Sequence, residues 1–168
     1  MSSYKDVLSE IGNREDEIVR LCCDLIEFKS VNPPGDVNDI AGYVKDYLLG
    51  KGFRVETIAP DEGRVNVIAS LRGGESKKTL IWNGHLDVVP PGVLDAWKSD
   101  PYKGTVKGSM LVGRGAADMK AGVAAMVWAA KCIVLAGLKL KGNVVLESVI
   151  DEETGGNGTL ACLLRGYR

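Results

Sequence analysis

Apolar residues recur at helical spacing in two segments near the start of the chain. Over residues 15–28 they lie three and four positions apart, which predicts an amphipathic helix. A second helix is predicted over residues 37–49, where Gly50 and Gly52 supply the glycines typical of a helix end. The intervening residues 30–35 contain two prolines and are predicted to form a loop, because proline lacks an amide donor and restricts the residue before it.

Strand-like segments follow in the middle and near the end of the chain. Residues 53–58 and 65–71 flank a Pro-Asp-Glu-Gly turn and are predicted to pair as a hairpin. Residues 79–83 and 143–150 are apolar at successive positions, as expected for strands that are covered on both faces.

The remaining pattern predicts an irregular segment over residues 88–103, a small hairpin over 105–112, and helices over 119–135 and 158–164. Because helices alternate with covered strands, we predict an α/β fold: a three-layer α/β/α arrangement around a mixed, mostly parallel central sheet. In such sheets, functional sites collect beyond the carboxyl ends of the strands.

Composition narrows the classes of function. The chain has 168 residues, 45% of them hydrophobic, with 21 Lys+Arg against 22 Asp+Glu, so it is long enough to bury a core and carries no basic excess for nucleic acid. Its longest apolar run, residues 121–138, is interrupted by Lys131 and favours a core helix over a membrane span. The N-terminal residues show no secretory signal, so we expect a cytoplasmic protein. The four cysteines lack metal-site spacing and are expected to be buried thiols.

The single histidine of the chain, His85, lies where a predicted strand ends, two residues before Asp87. In extended geometry the two side chains point the same way, so Asp87 could orient an imidazole that binds a metal. A hydrogen-bonded core histidine is the alternative. Asp118 precedes the predicted long helix and is either its N-cap or a metal ligand. The preceding glycines are also compatible with a dinucleotide-binding turn, but an acid stands where the third glycine is needed.

Three consecutive acids, Asp151, Glu152 and Glu153, follow the last predicted strand. They form either an ordinary solvated turn or a site in which Glu153 binds a cation while Glu152 accepts a proton from water. One histidine with several carboxylates suits a divalent ion, zinc above all, in a hydrolytic site.

Four motifs carry a family resemblance, and they are GHLDVVP (residues 84–90), WKSDPY (97–102), GRGAADMKAG (113–122) and DEETGG (151–156). Together with NPPG (32–35) they resemble the co-catalytic zinc peptidases and deacylases that include acetylornithine deacetylase, succinyl-diaminopimelate desuccinylase, aminoacylase and glutamate carboxypeptidases. The resemblance implies hydrolysis of the amide bond of an N-acyl amino acid or small peptide through a metal-bound water. It also implies two zinc ions, with cobalt or manganese as alternatives.

The same resemblance implies a role for each matching residue. His85 would bind one metal ion, and Asp87 would orient His85. Asp118 would bridge the two ions, Glu152 would be the general base, and Glu153 would bind the second ion.

Members of this family are longer than the present chain. They have a further acidic ligand, a C-terminal histidine ligand and an inserted lid or dimerisation domain, none of which is found here. Residues 1–168 are therefore expected to be the N-terminal portion of a catalytic domain, incomplete or inactive in isolation, and a homodimer is expected for a full-length protein. The alternative is a non-catalytic interaction module that keeps the fold and at most a partial metal site.

Overall fold

The computed structural model describes residues 2–61, 63–74 and 76–167. The helices are α1 (Tyr4–Gly12), α2 (Glu15–Glu27), α3 (Asn38–Leu48), α4 (Ala121–Leu135) and α5 (Asn157–Leu164). The strands are β1 (Arg54–Asp61), β2 (Arg64–Leu71), β3 (Thr79–His85), β4 (Thr105–Lys107), β5 (Met110–Val112) and β6 (Asn143–Val149). Within the described residues, no helix is both long enough and apolar enough to cross a lipid bilayer.

The central sheet has four strands in the order β1-β2-β6-β3, and β4 pairs with β5 in a separate hairpin. The prediction of a mixed, mostly parallel sheet is confirmed for the described strands, since β1, β3 and β6 run in one direction and β2 runs in the other. β3 and β6 are parallel, whereas β2 runs antiparallel to both β1 and β6. The reason is the β1–β2 hairpin, which inserts β2 beside β6 in the opposite direction.

Helices cover both faces of this sheet, so the three-layer prediction is confirmed. On one face, α3 contacts β2 and α4 contacts β3 and β6, while α1 and α2 pack against α4. On the other face, α5 contacts β1 and β6. Because β6 lies between these layers, its residues from Val144 to Val149 are all buried, which explains its apolar run.

The chain beyond β3 is held by the loop that follows α2. The backbone N–H of Asn32 donates to the Val88 carbonyl at 2.9 Å, and that of Val88 donates to the Ser30 carbonyl at 2.9 Å. The Ser30 hydroxyl also donates to the Leu86 carbonyl at 2.7 Å. These bonds place residues 30–32 beside residues 86–88, past the carboxyl edge where the parallel strands β3 and β6 both end.

Candidate metal centre

The parallel pairing of β3 with β6 places the predicted site residues at one edge of the sheet. His85 is the last residue of β3, opposite Val149, and the acidic turn (residues 151–154) follows β6. As a result, one potential ligand atom from each of His85, Glu152 and Glu153 lies within 4.8 Å of the others. The His85 Nε2 atom is 3.8 Å from Glu152 Oε2.

Asp118 reaches the same imidazole from an irregular turn between β5 and α4. Its Oδ1 atom lies 2.9 Å from His85 Nε2, and its side chain is 77% exposed. The backbone at Asp118 is extended, with φ −132° and ψ 98°, and α4 begins only at Ala121 after an N-cap at Lys120. Asp118 is therefore not the N-cap of the long helix, and its carboxylate faces the candidate site.

Asp87 is fully buried. Its carboxylate contacts His85, as the sequence predicts, and also the acidic turn that follows β6. The Nδ1 atom of His85 lies 2.9 Å from the backbone oxygen of Asp87 and 3.6 Å from its Oδ1 atom. The carboxylate also accepts hydrogen bonds from the backbone N–H groups of Glu152, at 3.3 Å, and Glu153, at 3.2 Å. Asp87 thus joins the end of β3 to the acidic turn.

The pKa values reflect a strongly negative site. Burial lowers the pKa of His85, but hydrogen bonds to Asp87 and Asp118 outweigh it and raise the pKa to about 9. Burial raises the pKa of Glu153, and the carboxylates of Asp118, Asp87 and Glu152 raise it further against the opposing charge of His85. Burial raises the pKa of Asp87, but hydrogen bonds from His85, Asn32 and the backbone of the acidic turn lower it by more, so the pKa lies below its usual value.

Asn32 and Asp151 contact each other in this network, although no sequence motif indicates that they are neighbours. Asn32 is buried, and the two N–H bonds of its Nδ2 atom are shared among three acceptors: Asp87 Oδ2 at 2.9 Å, and Asp151 Oδ1 and Thr154 Oγ1 at 3.0 Å each. Asp151 has a left-handed backbone, with φ 66°, and its carbonyl accepts the N–H groups of Gly155 and Gly156. The NPPG motif indicated a loop at Asn32, but nothing in the spacing places it beside residue 151.

The donor set fits a divalent cation. It combines one imidazole nitrogen with the carboxylates of Asp118, Glu152 and Glu153, which are ligand types for zinc and similar ions. A cation would also offset the mutual repulsion of these carboxylates, which the charge of the His85 imidazole opposes at Glu153.

The fold and this cluster together define an α/β protein with a candidate hydrolytic centre at the carboxyl edge of its sheet. The family described as peptidase family M20/M25/M40 matches residues 81–166, which is more than half of the chain. The chain therefore belongs to this peptidase family, and the resemblance found in the sequence motifs is confirmed.

Two curated relatives are named as hydrolases. The chain is 37% identical over 161 residues to N-formyl-4-amino-5-aminomethyl-2-methylpyrimidine deformylase of Bacillus subtilis, which covers 94% of the chain and 38% of the relative. It is 38% identical over 148 residues to succinyl-diaminopimelate desuccinylase of Wolbachia pipientis, covering 86% of the chain and 36% of the relative. The chain thus spans less than two fifths of the length of these relatives.

Solved structures show the same fold. Human carnosine dipeptidase 1 has a TM-score of 0.78 at 26% identity, covering 92% of the chain and 36% of that structure. An M20 family metallo-carboxypeptidase from Sulfolobus solfataricus has a TM-score of 0.74 at 25% identity, covering 83% of the chain and 32% of that structure. Both confirm the α/β class of this chain.

Proposed function

We propose that this chain supplies the metal-binding part of a hydrolase that cleaves the amide bond of an N-acyl amino acid or a small peptide. The observation that carries the proposal is the convergence of His85, Asp118, Glu152 and Glu153 at one sheet edge, with His85 Nε2 2.9 Å from Asp118 Oδ1. Membership of a peptidase family and the metallo-carboxypeptidase of the same fold support a metal-dependent reaction.

We assign the ligands by donor type and position. His85 and Glu153 would each hold one of two divalent ions, zinc first and cobalt or manganese as alternatives, and the exposed carboxylate of Asp118 would bridge them. Bound ions of this kind lower the pKa of a water molecule and polarise a carbonyl group. Asp87 orients His85 through its contacts with the imidazole Nδ1.

Glu152 is assigned as the general base. Its Oε2 atom lies 3.8 Å from His85 Nε2, so the carboxylate borders the candidate ligands. In this role it accepts a proton from the attacking water and transfers it to the leaving amine as the amide bond breaks. The activities named for the relatives, a deformylase and a desuccinylase, support an acyl group on nitrogen as the substrate class.

Calorimetric titration of the metal-free chain with Zn²⁺ tests the ligand assignment. We expect binding by the parent chain and at least a tenfold loss of affinity in His85→Ala and Glu153→Gln, because each change removes one donor. Glu27→Gln is the matched control, since it removes an exposed carboxylate at the end of α2 and should leave affinity unchanged. Absence of binding by the parent, or equal binding by all variants, would contradict the proposal.

Hydrolysis is tested in a longer polypeptide that completes this catalytic domain, with N-formyl, N-acetyl and N-succinyl amino acids and with dipeptides, at a saturating Zn²⁺ concentration. Glu152→Ala should retain bound zinc and lose turnover by a factor of about 100 or more, because it removes the proton acceptor. Turnover that survives this substitution would rule out Glu152 as the base.

A further inference from the structure

We propose that Asn32 is a positioning residue that fixes the acidic turn relative to His85. The functional meaning of this inference rests on the proposed function, but the contacts that carry it do not. The side chain of Asn32 is buried, and its single amide nitrogen has acceptors on both segments that form the site. One acceptor, Asp87, follows β3, whereas Asp151 and Thr154 follow β6.

The first link runs through Asp87. Asn32 donates to Asp87 Oδ2 at 2.9 Å, and the same oxygen accepts the backbone N–H of Glu153 at 3.2 Å. The other carboxylate oxygen accepts the backbone N–H of Glu152 at 3.3 Å. Asn32 therefore orients the carboxylate that holds the backbone of both candidate functional glutamates.

The second link runs through Asp151, at the start of the acidic turn. Asn32 donates to its Oδ1 atom at 3.0 Å, and Asn157 donates to its Oδ2 atom at 2.6 Å. The Asp151 carbonyl accepts the N–H groups of Gly155 and Gly156, which closes the turn. The turn is thus held at Asp151 and at the two glutamates, and the Asn32 amide connects both attachments.

Asn32 acts as a hydrogen-bond donor between two carboxylates, of which Asp151 also accepts a hydrogen bond from Arg64 Nη1 at 3.3 Å. The Asp87 and Asp151 carboxylates both lie within 3.0 Å of Asn32 Nδ2, so the amide satisfies two neighbouring anions at once. An aspartate here would place a third carboxylate between them, and an alanine would leave both with one hydrogen bond fewer. The backbone of Asn32 is itself fixed by its bond to Val88, so the amide has a defined position.

Asn32→Ala and Asn32→Asp test the inference, with Asn143→Ala as the matched control. Asn143 is also a hydrogen-bonded asparagine of the same sheet, but it lies at the opposite end of β6, where it contacts Gly73 and Thr79. The first measurement is amide hydrogen exchange of Glu152 and Glu153 in the metal-free chain, compared with Leu146 in the centre of β6. We expect the exchange of these two amides to be at least tenfold faster in both Asn32 variants than in the parent, while the exchange of Leu146 stays unchanged. In Asn143→Ala, we expect all three amides to exchange at the parent rate.

The second measurement is Zn²⁺ titration of the same proteins. We expect a 10- to 100-fold loss of affinity in the Asn32 variants and less than a twofold change in Asn143→Ala, because residues that hold ligands in place affect metal affinity on this scale. If the parent chain binds no zinc, the proposed function fails, while the exchange of Glu152 and Glu153 still decides the role of Asn32.

Unchanged exchange at Glu152 and Glu153 in folded Asn32→Ala would overturn the inference. If Asn32→Ala does not fold, Asn32→Ser replaces it, since a serine hydroxyl keeps one donor but is too short to reach both segments. Faster exchange confined to the acidic turn in Asn32→Ser supports the inference, and exchange equal to that of the parent contradicts it.

Discussion

The Cys162 thiol is fully buried between α5 and the sheet, and burial raises its pKa to about 11, from an ordinary value of 9.0. The folded chain therefore keeps this proton between pH 9 and pH 11, where the unfolded chain loses it. The free energy of unfolding should fall as the pH rises through this window, by about 2 kcal/mol from this group. Well below pH 9 the thiol is protonated in both the folded and the unfolded chain, so it does not make the free energy of unfolding depend on pH.

Urea unfolding at pH 8, 9.5 and 11 under reducing conditions measures this effect. Cys162→Ala is expected to lose less stability than the parent between pH 8 and pH 11, whatever the substitution costs in packing at pH 8. Cys22 has a similarly raised pKa and remains in both proteins, so the difference between them isolates Cys162. Parallel pH profiles of the two proteins would contradict the prediction.

At the scale of single residues, motifs drew attention to the four side chains of the candidate site. His85, Asp118, Glu152 and Glu153 were singled out by type and position, and the structure brings their side chains together. Their catalytic and ligand roles remain predictions. The contacts of Asn32 could not be predicted, because a hydrogen bond across 119 residues to Asp151 leaves no local pattern in the chain.

Two helical glycines are expected to respond in opposite ways to alanine, because their helices differ in what they pack against. At Gly158 in α5, an added Cβ would lie 2.2 Å from the carbonyl oxygen of Ile150, the residue after β6, so Gly158→Ala must push the helix away from the end of that strand. We expect a loss of about 2 kcal/mol or more. At Gly42 in α3, nothing lies within 4 Å of an added Cβ, and Gly42→Ala should stabilise by about 0.5–1 kcal/mol through helix propensity.

Thermal and urea unfolding of the two variants beside the parent provide the measurement. Each glycine serves as the control of the other, since both substitutions raise helix propensity and add one methyl group. Stabilisation by Gly158→Ala would show that α5 does not pack on β6 as described.

At the scale of elements, periodicity predicted α2, α3 and the strands of the sheet closely, because each buries one face or both. α1 was missed, although Val7, Leu8 and Ile11 recur at helical spacing and Ser3 and Asp6 form a capping box, because none of its residues is fully buried and its apolar positions are few. The long helix was predicted from residue 119, whereas α4 begins at Ala121. The difference arises at Asp118 and Met119, where the backbone leaves helical geometry to direct a carboxylate toward His85.

The whole molecule presents an open sheet edge at β3, which pairs only with β6 among the described strands. Leu80 on this strand is 52% exposed. An unpaired strand with an exposed apolar side chain is a template for association with another chain. We therefore expect concentration-dependent self-association of this chain, weakened by Leu80→Lys because a lysine on an edge strand opposes pairing.

Sedimentation velocity over a range of protein concentrations checks this expectation. Leu8→Lys is the control, because Leu8 is 60% exposed on α1, away from the sheet, and gains the same charge. Equal effects of the two substitutions, or a parent that sediments as a monomer at every concentration, would contradict association through β3.

The architecture of the whole chain was predictable in its class and in its mixed, mostly parallel sheet, but not in the pairing of β2 with β6. Alternating helices and covered strands indicated three layers, which the structure confirms. The direction of β2 relative to β6 could not be predicted, since these strands are separated by 71 intervening residues, from 72 to 142, and their pairing depends on tertiary packing. The β1–β2 hairpin was predicted, and it accounts for one of the two antiparallel pairings.

His85, at the end of β3, can serve as a natural NMR probe of the candidate centre. Since the sequence holds one histidine, every imidazole proton resonance in an NMR spectrum of the untagged chain comes from the candidate centre. A one-dimensional spectrum would therefore register a ligand arriving at Nε2, or a disturbance of Asp87 at Nδ1, without isotope labelling or resonance assignment. Because the chain has one histidine, a change in its imidazole resonances reports directly on the candidate centre.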